Sequence, residues 1–366
     1  MPSPSVHAAR LARARQAMAA AGADWLLVPA SADFSWLTGA SGRVSERLVA
    51  LALPREGDAF LVAPRLEAGP LAEAAPQIEM LVWDEHEDPL SKLSGRAGFT
   101  AGTRVLLGEG LRVPHVLRLA SLTACTAAAG VLGPLRAAKD ADELAKLAAA
   151  AAHADRVVEQ AADHARPGMT ERELARFVIE RFEALGDTDP WVIVASGPNS
   201  ASPHHHTSDR VIAHDEVLLL DLGAFTDGYG SDITRTYFLG EPPRQVLRTW
   251  QVVNEARAAG IAAARAGVPA SSVDAAARGV IEAAGLGEHF THRTGHGLGL
   301  EIHEPPYLVR GNDAPLAAGN VHSVEPGVYL PGRFGVRLED IVVVGESGAS
   351  RLNQAPLDLR PPRNRA

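Results

Sequence analysis

Cysteine is almost missing: Cys125 is the only one in 366 residues. No disulfide can form within the chain, and a reducing compartment fits. Blocks of Lys and Arg are missing too, and the net charge is −9. Nucleic acid and anionic membrane are therefore poor candidates as partners. No apolar run is long enough to span a bilayer; the most apolar Ala-rich stretch, near Leu117–Leu132, is too short and too polar. After Arg10, Arg13 and Arg15, the segment Met18–Gly22 is too weak for the apolar core of a secretory signal. Together these absences predict a soluble, cytoplasmic protein. Residues 1–134 also lack G-x-x-x-x-G-K-[ST], G-x-S-x-G and C-x-x-C, so no chemical motif lies there. GHGLG at 295–299 looks like a glycine loop, but no strand–glycine–helix unit or downstream ribose-binding acid supports a dehydrogenase.

What is present divides in two, as the length leads one to expect. In residues 1–134, WLLVPA, RLVALAL, DAFLVAP, IEMLVW and RVLLGE read as strands, with RLARARQAMAAAG and PHVLRLASLTA as helices. That alternation predicts a small α/β domain. The long helix former beginning at Leu135 opens a second domain, 135–366, and ARPG at 165–168 stops that helix. Thr170 and Glu173 stand at capping-box spacing before another helix. Further helices follow near Pro242–Ala266 and Ser271–Ala284, between β hairpins, so the fold class is α+β.

The chemistry concentrates in Asp221, Asp232, His296, Glu325 and Glu339, all within apolar or Gly-rich runs. Carboxylates are seldom buried unless paired, hydrogen-bonded or bound to metal. Asp227–Gly228 between two apolar runs signals a two-residue hairpin loop. Counting back from it places Asp221 opposite Thr234 and makes Asp232 a diagonal neighbour on the same face, about 7–8 Å away at Cα. A three-residue loop at Pro331–Arg333 likewise sets Glu325 opposite Glu339, with Arg337 on that face. Two bare carboxylates at such spacing would repel, and one would stay protonated. The competing explanation, a buried ion-pair network, has few cations to draw on: Arg235, Arg293, Arg333 and Arg337. Oxygen-rich ligation with one imidazole suits Mn²⁺, Co²⁺, Fe²⁺ or Zn²⁺.

These segments resemble the pita-bread metallopeptidases: aminopeptidase P, prolidase, methionine aminopeptidase and creatinase. The likeness runs through most of residues 135–345, in SASPHH (201–206), DLGAFTDGYGSDITRT (221–236), GHGLGLEIHE (295–304), VEPGVY (324–329) and GVRLED (335–340). It implies a pita-bread catalytic domain preceded by a smaller α/β creatinase-type domain. It also implies two divalent metals, Mn²⁺ foremost. By resemblance Asp232 and Glu339 bridge them, Asp221 binds one alone, and His296 with Glu325 the other. The N-terminal domain fits the proline-specific branch and creatinase, and intact ligands argue against creatinase chemistry. The implied reaction is hydrolysis of Xaa-Pro peptides.

On that resemblance Glu325 shuttles a proton to the leaving nitrogen, and His303 hydrogen-bonds the carbonyl or oxyanion. His204 is a catalytic histidine of the pocket wall and His292 a substrate-binding one. His205 and His206 are expected to be solvated. Arg337 orients Glu339 or contacts substrate. Tyr307 takes the place where some prolidases carry a carboxylate-binding Arg, and Arg310, three residues on, is a candidate either to bind that substrate carboxylate or to be a loop charge. A homodimer is implied, in which the partner subunit's N-terminal domain closes the pocket, and Asp33 and Arg43 are candidates to bind a dipeptide's charged ends from there. The compact N-terminal domain favours a dipeptidase. An aminopeptidase on longer peptides is the alternative, and a non-catalytic binding module a further one.

Overall fold

The apolar runs of the first half become one sheet. The computed structural model describes residues 4–42 and 44–361, and the chain falls into two compact units, Met1–Arg136 and Ala137–Ala366. In the first, six strands lie in the order Glu79–Trp83, Phe60–Pro64, Ala50–Pro54, Trp25–Pro29, Arg104–Leu107, Ala124–Ala127. Ala50–Pro54 runs antiparallel to both neighbours, and the pairs outside it are parallel. Its central strands are buried on both faces and so read as unbroken apolar runs rather than alternating ones.

Five of these strands match the expected runs. The sixth does not: PHVLRLASLTA is helical only to Ala120, and Ala124 opens a strand. Helix Pro89–Ala97 also went unread, although Asp88 caps its start through Leu90 N at 3.1 Å and Gly98 ends it in the left-handed region.

In the second unit the long helix starts at Ala141, not near Leu135. Ala129–Ala137 is a separate helix. Asp140 sets the start, because its carboxylate accepts from Glu143 N at 3.0 Å while Glu143 returns a bond to Asp140 N. Thr170 and Glu173 form the expected capping box before Glu171–Ala184. Val157, Val158, Ala161 and Phe182 of these helices pack on Leu218, Leu220 and Leu222 of a sheet ordered Ile233–Phe238, Val217–Thr226, Thr188–Ser196. Helices Arg244–Ala263 and Ala270–Ala283 pack together, and Val273 and Ala264 join Val324 and Val342 of a five-stranded sheet. No helix among the described residues is long and apolar enough to cross a membrane.

Candidate metal centre and the pocket around it

Two hairpins aim their carboxylates at one place. Asp227 and Gly228 both have positive φ, 48° and 80°, as a two-residue type I′ loop demands. Thr226 pairs with Tyr229 and Asp221 with Thr234, the expected register. Gly223 lies opposite Asp232, where a Cβ would overlap the Ser231 carbonyl oxygen. In the second hairpin, Val321–Val324 with Asp340–Val344 and Gly327–Leu330 with Phe334–Arg337 keep a single register across a gap. Glu325 and Glu339 face each other in that gap. Their amides leave the ladder: Glu325 N donates to Thr294 O at 2.8 Å and Glu339 N to Thr234 O at 3.1 Å.

The carboxylates differ in what holds them. Arg337 donates from Nη2 to Asp221 Oδ2 at 2.6 Å. The expectation for Arg337 was to orient Glu339 or to contact substrate; among the described residues the acid it pairs with is Asp221. Thr234 Oγ1 lies 3.0 Å from Asp221 Oδ1 and 2.7 Å from Glu339 Oε2, with one hydrogen for two acceptors. Ser323 Oγ donates to Glu325 Oε1 at 3.1 Å, and His296 Nε2 stands 3.3 Å from the same oxygen. Burial pushes Glu325 upward, but the hydrogen bond and charge of His296 prevail and hold it at about 2.

Asp232 and Glu339 are less completely held, each with one oxygen left over. Asp232 Oδ1 and Glu339 Oε1 are buried without a hydrogen-bond partner among the described residues. Burial, then the neighbouring carboxylates, push both well above the ordinary range. His296 supplies the complement. Its Nδ1 donates to Gly297 O at 3.1 Å, so Nε2 faces the acids, carrying a proton toward Glu325 while no metal is bound and free to give its lone pair when a metal takes the proton's place. Ligating histidines are typically oriented in this way. Asp232, His296 and Glu339 each offer a ligand atom within 4.8 Å of the others. The donor set fits a hard or borderline divalent ion.

The same residues match metallopeptidase family M24 over residues 145–346, and residues 10–109 match the creatinase/prolidase N-terminal domain. The chain belongs to metallopeptidase family M24. It is similar to the probable dipeptidase PepE of Mycobacterium tuberculosis, 41% identical over 97% of this chain and 96% of that protein. The Xaa-Pro dipeptidase of Lactobacillus helveticus is 32% identical over 89% of this chain and 91% of that one. Among solved structures, dipeptidase PepE from Mycobacterium ulcerans superposes with a TM-score of 0.93 at 40% identity, covering 97% of this chain and 98% of that one. As an M24 metallopeptidase the chain has a creatinase-type domain followed by a pita-bread domain.

In this metallopeptidase a cavity of about 580 Å³ opens over the acids, and His204, His292, His303 and Arg337 also line it. Desolvation, then His296, lowers His303 to about 4, so it is neutral near pH 7. His292 is lowered by desolvation as well. Both its nitrogens are already taken, Nδ1 by Arg293 O at 2.7 Å and Nε2 by the Tyr329 hydroxyl at 2.8 Å. What His292 offers the pocket is ring surface. Tyr329 OH in turn accepts from Arg337 Nη1 at 2.9 Å, which ties the wall to Asp221.

Other expectations fall elsewhere. Arg310 is 79% exposed, stands 3.6 Å from Glu282 and does not line this pocket. Tyr307 does not line it either; its ring lies under the Arg293 guanidinium at 4.5 Å. His205 is not solvated: Glu171 binds it, and only 14% of its side chain is exposed. His206 is exposed as expected. Asp33, in the first unit, pairs with Arg136 at 2.9 Å, and Arg43 lies outside the described residues. The sequence reading missed Arg293 as a pocket cation, although it adjoins His292, and it missed the apolar wall of Trp191, Ile193 and Ile302.

Proposed function

We propose that this metallopeptidase cleaves the Xaa-Pro bond of dipeptides, with two divalent ions, Mn²⁺ by preference, held by Asp221, Asp232, His296, Glu325 and Glu339. The observation that carries the reading is the pair of buried, partnerless oxygens on Asp232 and Glu339. Such atoms are costly unless a ligand completes them, and these two lie where one acid of each hairpin can be shared. Charge supports divalent ions. Of the two guanidiniums that line the pocket only Arg337 pairs with an acid, so the four carboxylates keep an excess of negative charge that divalent ions would neutralise.

Bound there, the ions would supply an activated water and polarise the scissile carbonyl. The protein does the rest. Glu325, ionised, accepts the proton of the attacking water and passes it to the proline nitrogen, and the C–N bond then breaks to give the free amino acid and proline. Neutral His303 donates one N–H toward the oxygen that becomes anionic, and His204 closes the pocket beside it. Trp191, Ile193 and Ile302 give the ring an apolar wall. Arg293 forms no ion pair among the described residues and is placed to receive the terminal carboxylate, a role earlier weighed for Arg310. That free carboxylate is what a dipeptide presents and a longer peptide lacks. With Mn²⁺ added, the purified protein should hydrolyse Ala-Pro faster than a longer Ala-Pro-led peptide. A preference for the longer peptide would overturn the dipeptide assignment, and absence of any Xaa-Pro cleavage would overturn the reaction.

A further inference from the structure

Glu171 carries more hydrogen bonds than its helix can use. It is the first residue of Glu171–Ala184, and Thr170 already caps that helix through Glu173 N. Glu171 is fully buried. Its Oε1 accepts from Ser196 N at 2.8 Å, Ser196 Oγ at 2.9 Å and Asn199 Nδ2 at 3.0 Å. Its Oε2 accepts from His205 Nε2 at 2.9 Å, Ser208 N at 3.1 Å and Ser208 Oγ at 2.7 Å. All six donors belong to one stretch, 196–208, that runs from the end of strand Thr188–Ser196 through a short 3-10 turn into a loop. The backbone adds to this, with Glu171 N donating to Arg210 O and Arg172 N to Ser208 O, both at 3.0 Å.

The segment has one feature that reaches the pocket. His205 N donates to Ser202 O at 3.2 Å and closes a turn whose two central residues are Pro203 and His204, with Pro where such turns favour it. Both line the cavity. Arg337 Nη1 holds the tip from the metal side, at Pro203 O, 3.2 Å away. Glu171 holds its base, and by fixing His205 inward it leaves His204 facing the pocket. A buried carboxylate with its acceptor sites filled is rigid, because losing any donor leaves an uncompensated charge.

We infer that Glu171 is a positioning residue for His204, acting through the 202–205 turn. The inference rests on the catalytic role given to His204 above. The test is a double-mutant cycle on the full-length, Mn²⁺-loaded protein, with Glu171→Gln, His204→Ala and the pair assayed on Ala-Pro. Glu171→Gln keeps the shape but replaces an acceptor with a donor facing Ser208 or Ser196. It should lower kcat about tenfold, as a displaced catalytic group does, with KM and metal content unchanged. Combined with His204→Ala it should add no further loss. Should Glu171→Gln fail to fold, Ser208→Ala removes one donor; it should lower kcat about threefold and be equally non-additive. Full additivity, or a fall in metal content that tracks the rate, would overturn the inference. If His204→Ala alone leaves Ala-Pro hydrolysis intact, the role of His204 falls first, and the cycle separates the two failures.

Discussion

The two units fill their sheets by different rules. In the first, the middle strands bury Leu26, Leu27, Val28, Leu51, Leu53 and Val62, and nothing in them is ionisable. In the second, runs that look as apolar in sequence carry Asp221, Thr234, Arg235, Arg337 and Glu339 at equally buried positions. Apolar burial stabilises the first unit directly. The polar interior of the second works against its own stability, since Asp232 and Glu339 keep partnerless oxygens. Such an arrangement marks where chemistry rather than folding sets the residue.

The largest expected effect tests the polar side of that contrast. Asp232→Asn should cut Xaa-Pro hydrolysis on the order of a thousandfold, the several kcal/mol that metal ions contribute to such reactions, and bound metal should fall with it. Stripped of metal by chelation, the variant should melt no lower than the stripped parent, because the substitution removes repulsion at a buried acid. A clear drop in the melting temperature of the stripped variant would mean that Asp232 stabilises the fold and would erase the contrast.

Not every buried charge in the second unit is of that kind. Arg235 spends its donors on Asp340 Oδ1 at 2.7 Å, Ala355 O at 2.9 Å, and the carbonyls of Thr234 and Glu339. Asp340 is also met by Arg257 and Arg351. Removing one partner of such a network strands the others, so Arg235→Ala should cost about 3–5 kcal/mol of stability in urea titrations. A loss below 1 kcal/mol would show the network to be dispensable. In the first unit, Leu53→Ala should cost about 3 kcal/mol through its cavity while leaving metal content and kcat unchanged. A changed kcat would show that the apolar unit is not chemically silent.

Much of the centre could be read before the fold because its geometry is local. Asp227–Gly228 and the Pro331–Arg333 loop each fix a register, and period-two counting then carries the acids to their places without a bulge intervening. What escaped depended on segments far apart meeting. Arg337 binds Asp221, 116 residues away, and counting along one hairpin offered only its own neighbour, Glu339, or a substrate. Arg293 and Arg310 are both basic residues near His303 in sequence, and only burial separates the one that lines the pocket from the one that faces solvent. The strand Ala124–Ala127 and the break at Asp140 were missed because short polar interruptions in Ala-rich sequence leave no period to read.

The smallest effect lies between the two classes. Glu171 is a buried carboxylate, but unlike Asp232 it is fully partnered. Burial alone would raise it; the bonds from Ser208, His205, Ser196 and Asn199 outweigh that and bring it down to about 2. The folded value lies below the ordinary 4.5, so the folded state binds its proton less readily than the unfolded chain. Its contribution to stability is therefore complete above about 4.5 and disappears as the pH falls toward about 2. Urea midpoints of the parent should fall across that window, and Glu171→Gln, with no proton to take up, should show a shallower fall from a lower start. An equally steep fall in the variant would place the acid sensitivity in other carboxylates. It would leave Glu171 as a hydrogen-bond acceptor whose charge contributes nothing, closer to the side chains of the first unit than to those around the metal centre.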